Sequence, residues 1–281
     1  MNFHSDEWVM KRLQEHWDEA LTLFDKTHIV GLFVQGSTNY GLDTENSDLD
    51  TKLITTPYLR ELVFNKKPVS TTHVRENNEH IDLKDVRLYM NTFRKGNLNF
   101  MEILFTPYFI LNPMYEYQWN LLVKRREQIA RMDKFAALKA MYGVATEKYH
   151  ALEHRYPSKI DIIDKYGFDA KQLHHLFRIN YFISQYIAGV PYEECLRPNE
   201  TMCRSLKALK EQGCMDLEGA RNWAEVWLTD SKRRVDEFLA DYDREAGIDK
   251  EANELLDFVQ YNIIKISLDN DLARSDDEFE L

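Results

Sequence analysis

Apolar and polar positions follow two different periods along the chain. In residues 5–26 the large apolar side chains recur at helical spacing, which predicts an amphipathic helix. Residues 28–35, HIVGLFVQ, form an apolar, β-branched stretch that predicts a buried strand. Residues 48–54 and 80–86 alternate in character and predict two further strands. The first third of the chain therefore predicts strands packed against helices.

A helix is expected directly after the third strand, in the segment DVRLYMNTFRKGN. Asp85 is a suitable N-cap for this helix, and Gly96 is a suitable stop. Residues 99–111, NFMEILFTPYFIL, are mostly apolar and predict another strand or a buried segment. Pro113 then closes this part of the chain.

Helical periodicity dominates from about residue 114 onward. The predicted helices cover residues 114–132, 134–156, 168–188, 199–212, 216–245 and 248–267. These patterns predict an α+β protein, with a small α/β domain and mixed sheet in residues 1–112 and an all-helical domain in residues 113–268. The acidic, turn-rich residues 269–281 predict a disordered tail.

Net charge narrows the classes of partner. The 281-residue chain has a formal net charge of −11, which argues against wrapping long duplex DNA but is compatible with a nucleotide, a metal ion or a nucleic-acid end. No apolar run reaches about 18 residues, so no membrane partner is expected. The first residues lack a secretory pattern, and Cys195, Cys203 and Cys214 have no disulfide or zinc spacing. Reduced thiols in a cytoplasmic protein are the expectation.

Two features near residue 40 carry the candidate chemistry. Gly36 ends the first predicted strand without a Cβ, and Ser37 adds a hydroxyl and an amide that suit a phosphate. Ten residues later, Asp48 and Asp50 are two positions apart, so on a strand their carboxylates lie on one face while Leu49 points into the core. Such carboxylates repel each other unless a cation lies between them, and Mg²⁺ or Mn²⁺ prefers oxygen ligands. The pattern indicates phosphoryl or nucleotidyl transfer.

This arrangement resembles the signature of the DNA polymerase β-type nucleotidyltransferase superfamily, in which an apolar residue, Gly, and Gly or Ser precede Asp-apolar-Asp by a spacer of this length. The stretch GSTNYGLDTENSDLD resembles more narrowly the predicted nucleotidyltransferases of bacteria and phages, some of them associated with RNA ligases in RNA repair. Residues 81–107 and 165–179 also resemble segments of that group. The resemblance covers most of residues 30–180 and only loosely the last hundred.

The resemblance implies that Asp48 and Asp50 bind two metal ions, Mg²⁺ or Mn²⁺. It also implies a third carboxylate on a neighbouring strand, which shares one ion and helps to deprotonate the acceptor hydroxyl. Asp82 and Asp85 are the two candidates for this role. Asp82 lies in mid-strand and points away from its apolar neighbours, whereas helix capping is the simpler explanation of Asp85. Asp82 is therefore favoured as the third catalytic and metal-binding residue.

A second candidate site lies in the helical part of the chain. Lys171, His175 and Arg178 are spaced i, i+4 and i+7, which places three basic groups on one helix face. In an acidic chain they suit a triphosphate, although a solvated helix face is the simpler interpretation. His174 lies about a hundred degrees around the helix and ranks below them. The resemblance implies a helical subdomain that closes over the nucleotide. Tyr40 is expected to stack on the nucleotide or to line the acceptor path.

These residues predict a metal-dependent nucleotidyltransferase. The expected donor is an NTP, with ATP as the first choice, and its NMP is transferred to an acceptor hydroxyl such as an RNA end with release of pyrophosphate. Two alternatives stay open: a non-catalytic nucleotide- or RNA-binding module on the same fold, and a transferase that modifies a protein or a small molecule. The basic segment 124–134 keeps RNA binding open.

Two other patterns have weaker claims to function. HALEH, residues 150–154, matches the short zinc-peptidase pattern His-x-x-Glu-His on one helical face, but no third ligand has good spacing. Glu102 is a lone acid in an apolar run. It is expected to be a paired core residue or an edge position rather than a catalytic group.

Overall fold

The computed structural model describes residues 2–275. Its sheet consists of β1 Ile29–Gln35, β2 Asp50–Thr55, β3 Ser70–Val74, β4 His80–Asp85 and β5 Phe109–Leu111. Their spatial order is β3-β4-β2-β1-β5. β1 is antiparallel to β2 and β5, β3 is antiparallel to β4, and β2 and β4 are parallel. The mixed sheet predicted from the sequence is confirmed.

Helices of very different lengths pack on the sheet and dominate the second part of the described chain. Those of the first part are α1 Asp6–Leu23, α2 Ser37–Tyr40, α3 Leu59–Val63, α4 Val86–Arg94 and α5 Leu98–Met101. Those of the second part are α6 Glu116–Lys124, α7 Arg126–Ala130, α8 Lys134–Ala151, α9 Ile160–Tyr166, α10 Ala170–Ile187, α11 Tyr192–Leu196, α12 Glu200–Lys210, α13 Leu217–Leu239, α14 Arg244–Gly247 and α15 Lys250–Ser275. The fold is α+β, as the sequence predicts.

The helix after β4 begins and ends where its capping residues predict. Asp85 accepts a hydrogen bond from the Arg87 amide at 2.7 Å and caps α4. Gly96 follows the helix end with φ +60°, a conformation that suits glycine because it lacks a Cβ. A Cβ at Gly96 would lie 2.6 Å from the Cα of Ala137. The stop glycine therefore also lets α4 and α8 approach each other closely.

Two parts of the sheet region differ from the prediction. The sequence pattern does not predict β3, because this edge strand is mostly exposed and lacks an apolar face. Residues 99–111 do not form one strand: residues 98–104 form short buried helical turns, and only β5 joins the sheet. A mostly apolar run without a clear period of two or of 3.6 residues is ambiguous between helix and strand.

The long predicted helices are divided by local turns. The predicted helix 114–132 is divided into α6 and α7 at Arg125, and the predicted helix 216–245 into α13 and α14. The predicted helix 168–188 agrees closely with α10. Within residues 2–275 no helix combines the length and apolarity that a membrane span needs.

Two hydrophobic cores lie on opposite faces of the sheet. Leu32 and Val34 of β1 pack in the smaller core beneath α1, whereas Val30 and Phe33 belong to the larger core. The larger core continues as far as Ile263 in α15. The division into residues 1–112 and 113–268 stays a prediction, since the packing runs through both parts.

The predicted tail begins too early in the chain. α15 continues to Ser275, so residues 269–275 are helical, while residues 276–281 lie outside the described part of the chain. The reason is a specific contact with the sheet region. Asp271 lies 2.7 Å from Nε2 of the buried His28, and it accepts a hydrogen bond from the Leu59 amide at 2.9 Å. The acidic composition shows only that this segment is polar. The residues that bind Asp271 are more than two hundred positions away in the sequence, so a local pattern does not predict the contact.

We expect Asp271→Ala to lower the free energy of unfolding by about 1–3 kcal/mol, because the His28 ring and the Leu59 amide lose their acceptor. Urea unfolding at neutral pH measures the change. Asp269→Ala is the matched control, since Asp269 is exposed and the structure shows no side-chain partner for it within residues 2–275. The control should stay within about 0.5 kcal/mol of the unmodified protein. Equal effects of the two substitutions would contradict the docking of α15.

Candidate active site

A cleft of about 980 Å³ separates the sheet region from α10 and α12. It brings together all of the site residues named by the sequence analysis: Gly36, Ser37, Tyr40, Asp48, Asp50, Asp82, Lys171, His175 and Arg178. One wall comes from β1, β2 and β4 and the turns beside them, and the other comes from the two helices. The chemical roles of these residues stay predictions, but their common location follows from the fold.

The turn after β1 is fixed by a buried acid. Gly36 has φ +84°, which disfavours any residue with a Cβ. Its N–H donates to Oε2 of Glu102 at 3.0 Å, and Nδ2 of Asn39 donates to the same oxygen at 3.1 Å. Glu102 is thus the paired residue that the sequence analysis expects. Since the Gly36 amide is engaged, Ser37 is left to provide the contact that the sequence predicts for a phosphate.

Asp48 and Asp50 both line the cleft, and Leu49 between them is fully buried. The period-2 arrangement therefore holds even though β2 begins at Asp50 rather than at Asp48. His80 at the start of β4 donates its backbone N–H to Oδ1 of Asp50 at 2.9 Å. Glu79, the preceding residue, accepts a hydrogen bond from the Leu49 amide at 3.2 Å. The start of β4 thus positions the aspartate pair.

A charge cluster lies behind this pair, centred on Glu79. Arg12 and Arg75 both donate to its carboxylate, and Nε2 of His16 lies 2.8 Å from Oε2. Burial alone would raise the pKa of Glu79, but hydrogen bonds, that of His16 foremost, lower the pKa well below its usual range. Glu79 is therefore ionised at neutral pH and joins α1 to the aspartate segment.

Asp82 and Asp85, the two candidates for the third carboxylate, have different surroundings. Asp82 lines the cleft, where Lys52 Nζ donates to its Oδ2 at 3.0 Å and Lys84 Nζ donates to its Oδ1 at 3.3 Å. Asp85 is buried, caps α4 and binds the Arg87 side chain. Of the two candidates only Asp82 lines the cleft, and its catalytic and metal-binding role stays a prediction. The sequence analysis misses Lys52. The sequence does contain a signal for Lys52, because Lys52 continues the two-residue period of Asp48 and Asp50 and so lies on their face of the strand.

The acidic wall fits one divalent cation better than two. Asp48 and Asp50 supply oxygen donors on the cleft surface, as Mg²⁺ or Mn²⁺ prefers. Asp82 fits less well, because each of its oxygens already accepts from an ammonium group. No three His, Cys, Asp or Glu side chains form a ready-made metal site in the part of the chain that is described. Since Mg²⁺ commonly takes only one or two protein carboxylates and completes its shell with phosphates and water, two aspartates suffice.

The helical wall carries buried positive charge. Arg178 is only 6% exposed and lies over the Tyr40 ring, 4.3 Å from its centroid. Its Nε and Nη1 atoms have no hydrogen-bond acceptor among the residues of the described chain. Burial, followed by the charge of Glu102, raises the pKa of Tyr40. Lys171 lies on the same helix face as Arg178 and is exposed at the cleft.

Two adjacent histidines complete this helix face, and the structure revises their ranking. His174 lines the cleft as His175 does, although the sequence analysis ranks it lower. Nδ1 of His174 lies 2.7 Å from the Leu206 carbonyl oxygen, and burial lowers its pKa to about 3. The ring is therefore neutral, Nδ1 carries the proton, and Nε2 is an acceptor. Burial, then the proximity of His174, lowers the pKa of His175 as well.

α12 adds two lysines that sequence reasoning misses. Lys207 and Lys210 line the cleft one turn apart, and Lys210 Nζ donates to the Leu42 carbonyl oxygen. Burial, then the charge of Lys171, lowers the pKa of Lys210 to about 8. Their i, i+3 spacing is visible in the sequence, but nothing local distinguishes it from a solvated face.

Other basic and metal-like patterns have structural explanations. In segment 124–134, Arg126 pairs with Glu193 at 2.7 Å, and Arg131 donates to the Tyr186 carbonyl oxygen at 3.1 Å. Arginines of this segment thus serve tertiary contacts.

The HALEH pattern is also broken by the fold. α8 ends at Ala151, between the two histidines, so His150 and His154 do not share a helical face as the zinc interpretation requires. The three cysteines are free thiols, in agreement with the sequence analysis.

Comparisons with known protein families and with curated proteins give no match. Among solved structures, the chain aligns with the crystal structure of a nucleotidyltransferase-like protein from Exiguobacterium sibiricum. The two are 13% identical, the alignment covers 95% of this chain and 92% of that chain, and the TM-score is 0.28. This likeness is too distant to bear on the function of the cleft.

We expect Glu79→Gln to make the free energy of unfolding depend less on pH in the acidic range. The folded-state pKa of Glu79 is lowered, so its stabilising contribution is present at neutral pH and is lost as pH falls below its unfolded pKa of about 4.3. The variant should be less stable at neutral pH and lose less on acidification, as measured by urea unfolding between about pH 7 and about pH 3. Glu76→Gln, at an exposed position in the same turn, is the control. Parallel curves for all three proteins would contradict the role given to Glu79.

Proposed function

We propose that the protein is a metal-dependent nucleotidyltransferase that transfers NMP from ATP to an acceptor hydroxyl, such as an RNA end, with release of pyrophosphate. One observation carries the proposal: among residues 2–275, two nitrogens of the buried Arg178 guanidinium have no acceptor, on the wall of a cleft whose opposite wall carries Asp48 and Asp50. Buried charged donors require an anionic partner. A nucleoside triphosphate supplies that anion and also presents a phosphate to the carboxylate side.

The helical wall binds the triphosphate in this proposal. Arg178 offers a planar guanidinium suited to phosphate oxygens, and Lys171 and Lys210 add ammonium groups on neighbouring helices. Tyr40 holds the Arg178 guanidinium in place by stacking against it. Because packing holds the Arg178 guanidinium in place, it stabilises charge on the phosphates without rearranging.

Asp48 and Asp50 hold the divalent cation, Mg²⁺ or Mn²⁺. When bound there, the ion neutralises phosphate charge and makes the acceptor hydroxyl more acidic. The acceptor oxygen attacks the α-phosphorus, the bond to the bridging oxygen breaks, and pyrophosphate leaves with that oxygen. The hydroxyl proton passes to an oxygen of the aspartate pair. Glu79 and His80 keep both carboxylates aimed at the cleft during this step.

His174 supports a donor whose base carries an exocyclic amino group, which adenine has and uracil lacks. Its neutral ring presents an unprotonated Nε2, which accepts a hydrogen bond. Such an acceptor suits the exocyclic amino group of adenine and repels a phosphate oxygen. Ser37 lies across the cleft and contacts a phosphate through its hydroxyl.

We expect Asp48→Asn and Asp50→Asn each to reduce transfer by roughly 10²-fold or more, because each removes a carboxylate that would hold the divalent cation beside the reacting phosphate. The assay follows radiolabelled ATP, GTP, CTP and UTP in turn with tRNA and short RNA acceptors and Mg²⁺ or Mn²⁺. Glu45→Gln is the matched control, since Glu45 is exposed on the same loop and does not line the cleft. Label found on the protein itself would indicate that the acceptor is a protein rather than RNA. Transfer that survives both substitutions would overturn the proposal.

We also expect nucleotide affinity to fall as pH rises above about 8, the pKa of Lys210. Below this pH the amine is charged and binds phosphate, and above it the free protein must take up a proton to do so. Calorimetric titration with ATP and Mg²⁺ should show that the affinity for ATP falls about tenfold at pH values well above 8. A change of this size corresponds to the loss of one charge-assisted hydrogen bond. Lys210→Met should bind more weakly at neutral pH with a flatter profile, whereas Lys232→Met, outside the cleft, should match the unmodified protein. A profile that Lys210→Met leaves unchanged would contradict this assignment.

A further inference from the structure

Lys52 occupies an unusual position in the acidic wall. It follows Asp48 and Asp50 at the same two-residue period, so its side chain extends on their face of β2. It lines the cleft, yet its side chain is only 4% exposed. A lysine is rarely buried to this extent without a specific set of partners.

The partners of Lys52 are an acid and an aromatic ring. Lys52 and Asp82 are register partners across the parallel β2–β4 pair, and Nζ lies 3.0 Å from Oδ2. The same Nζ lies 4.2 Å from the centroid of the Phe100 ring. Lys84 approaches the other oxygen of Asp82 at 3.3 Å and the same ring at 5.0 Å. Asp82 is therefore held between two ammonium groups.

This arrangement makes Asp82 a poor ligand for a second divalent ion. A cation bound there would have to displace ammonium groups from both oxygens or sit beside them against like-charge repulsion. A movement of Lys52 away from Asp82 would break the contacts of its ammonium group with that carboxylate and with the Phe100 ring. Breaking a buried ion pair leaves an uncompensated buried charge, which is strongly unfavourable.

The ammonium group of Lys52 also has N–H donors beyond the one that Asp82 accepts. An ammonium group carries three N–H donors, and Asp82 is the acceptor that the structure gives it among residues 2–275. Buried donors without acceptors require a partner, and the neighbouring space is the cleft proposed to hold a triphosphate. Phosphate oxygens fit this ammonium as they fit Arg178 on the opposite wall.

We infer that Lys52 is a built-in cation of the nucleotide site: its ammonium group binds a phosphate oxygen, and the cleft takes one divalent ion, on Asp48 and Asp50, instead of two. Asp82 is then a positioning residue that holds Lys52 in place rather than a metal ligand. This inference rests on the proposed function and alters the role that the family resemblance implies for Asp82. The fixed ammonium group supplies charge at the place where the resemblance implies a second ion.

The test counts Mn²⁺ ions bound to the full chain in the presence of an α,β-methylene ATP analogue, by equilibrium dialysis and electron paramagnetic resonance. The unmodified protein should hold one Mn²⁺ per chain with the analogue, and Asp82→Asn should still hold one. Asp48→Asn should lose it. Lys52→Met, which keeps the packing against Phe100, should retain the ion but bind the analogue about tenfold more weakly.

Two Mn²⁺ ions on the unmodified protein, falling to one in Asp82→Asn, would overturn the inference and leave the proposed function standing. Equal analogue affinity of Lys52→Met and the unmodified protein would also overturn it. Absence of any Mn²⁺-dependent binding of the analogue, with Asp48→Asn behaving like the unmodified protein, would overturn both. Thermal unfolding checks that each variant is folded, and should Asp82→Asn fail that check, the ion count of the unmodified protein decides.

Discussion

Charges of opposite sign face each other across the cleft, and every other feature of the site depends on keeping them apart. Without a fixed scaffold, Arg178 and Asp48 would approach and neutralise each other, and the space for a ligand would close. The wall formed by the sheet is therefore anchored from behind at two points. Glu79 holds the aspartate segment through the Leu49 amide, and Glu102 holds the turn at Gly36. The polar groups that line the cleft stay available because other polar groups, buried behind them, make the structural hydrogen bonds.

The same constraint explains why the two walls share a hydrophobic core. Residues from β1 to α15 form one continuous cluster, so the distance across the cleft is set by packing rather than by a flexible linker. Asp271 and His28 close this arrangement by attaching the end of the described chain to the sheet region. A hinge at residue 112 would have to separate buried side chains on both sides of it.

The sequence predicts the parts of this site that depend on local period and capping. The period of two at Asp48 and Asp50, the helical face of Lys171 and Arg178, and the cap at Asp85 are all visible within short windows. These features succeed because a strand or a helix imposes its geometry on side chains a few residues apart.

The features that the sequence does not predict depend on partners distant in the chain. The ion pair of Lys52 with Asp82 forms only because β4 pairs beside β2 and places Asp82 next to Lys52. Glu79 lies in a polar turn with no apolar pattern, and its hydrogen bond to Leu49 spans 30 residues. The edge strand β3 is missed for a related reason, since an exposed edge imposes little pattern on its side chains. Tertiary pairing, not local preference, decides each of these features.

The overall charge of the chain restricts what this cleft can admit. With a formal net charge of −11, the surface as a whole repels polyanions, and attraction is confined to the short-range field of the cationic wall. A long duplex would bring many phosphates near the acidic surface for each one that reached Lys171 or Arg178. A single triphosphate brings few, and a bound divalent ion reduces their charge further. A strand end presents little more charge than a nucleotide. Charge distribution therefore disfavours a long duplex and is compatible with the mononucleotide donor of the proposed function.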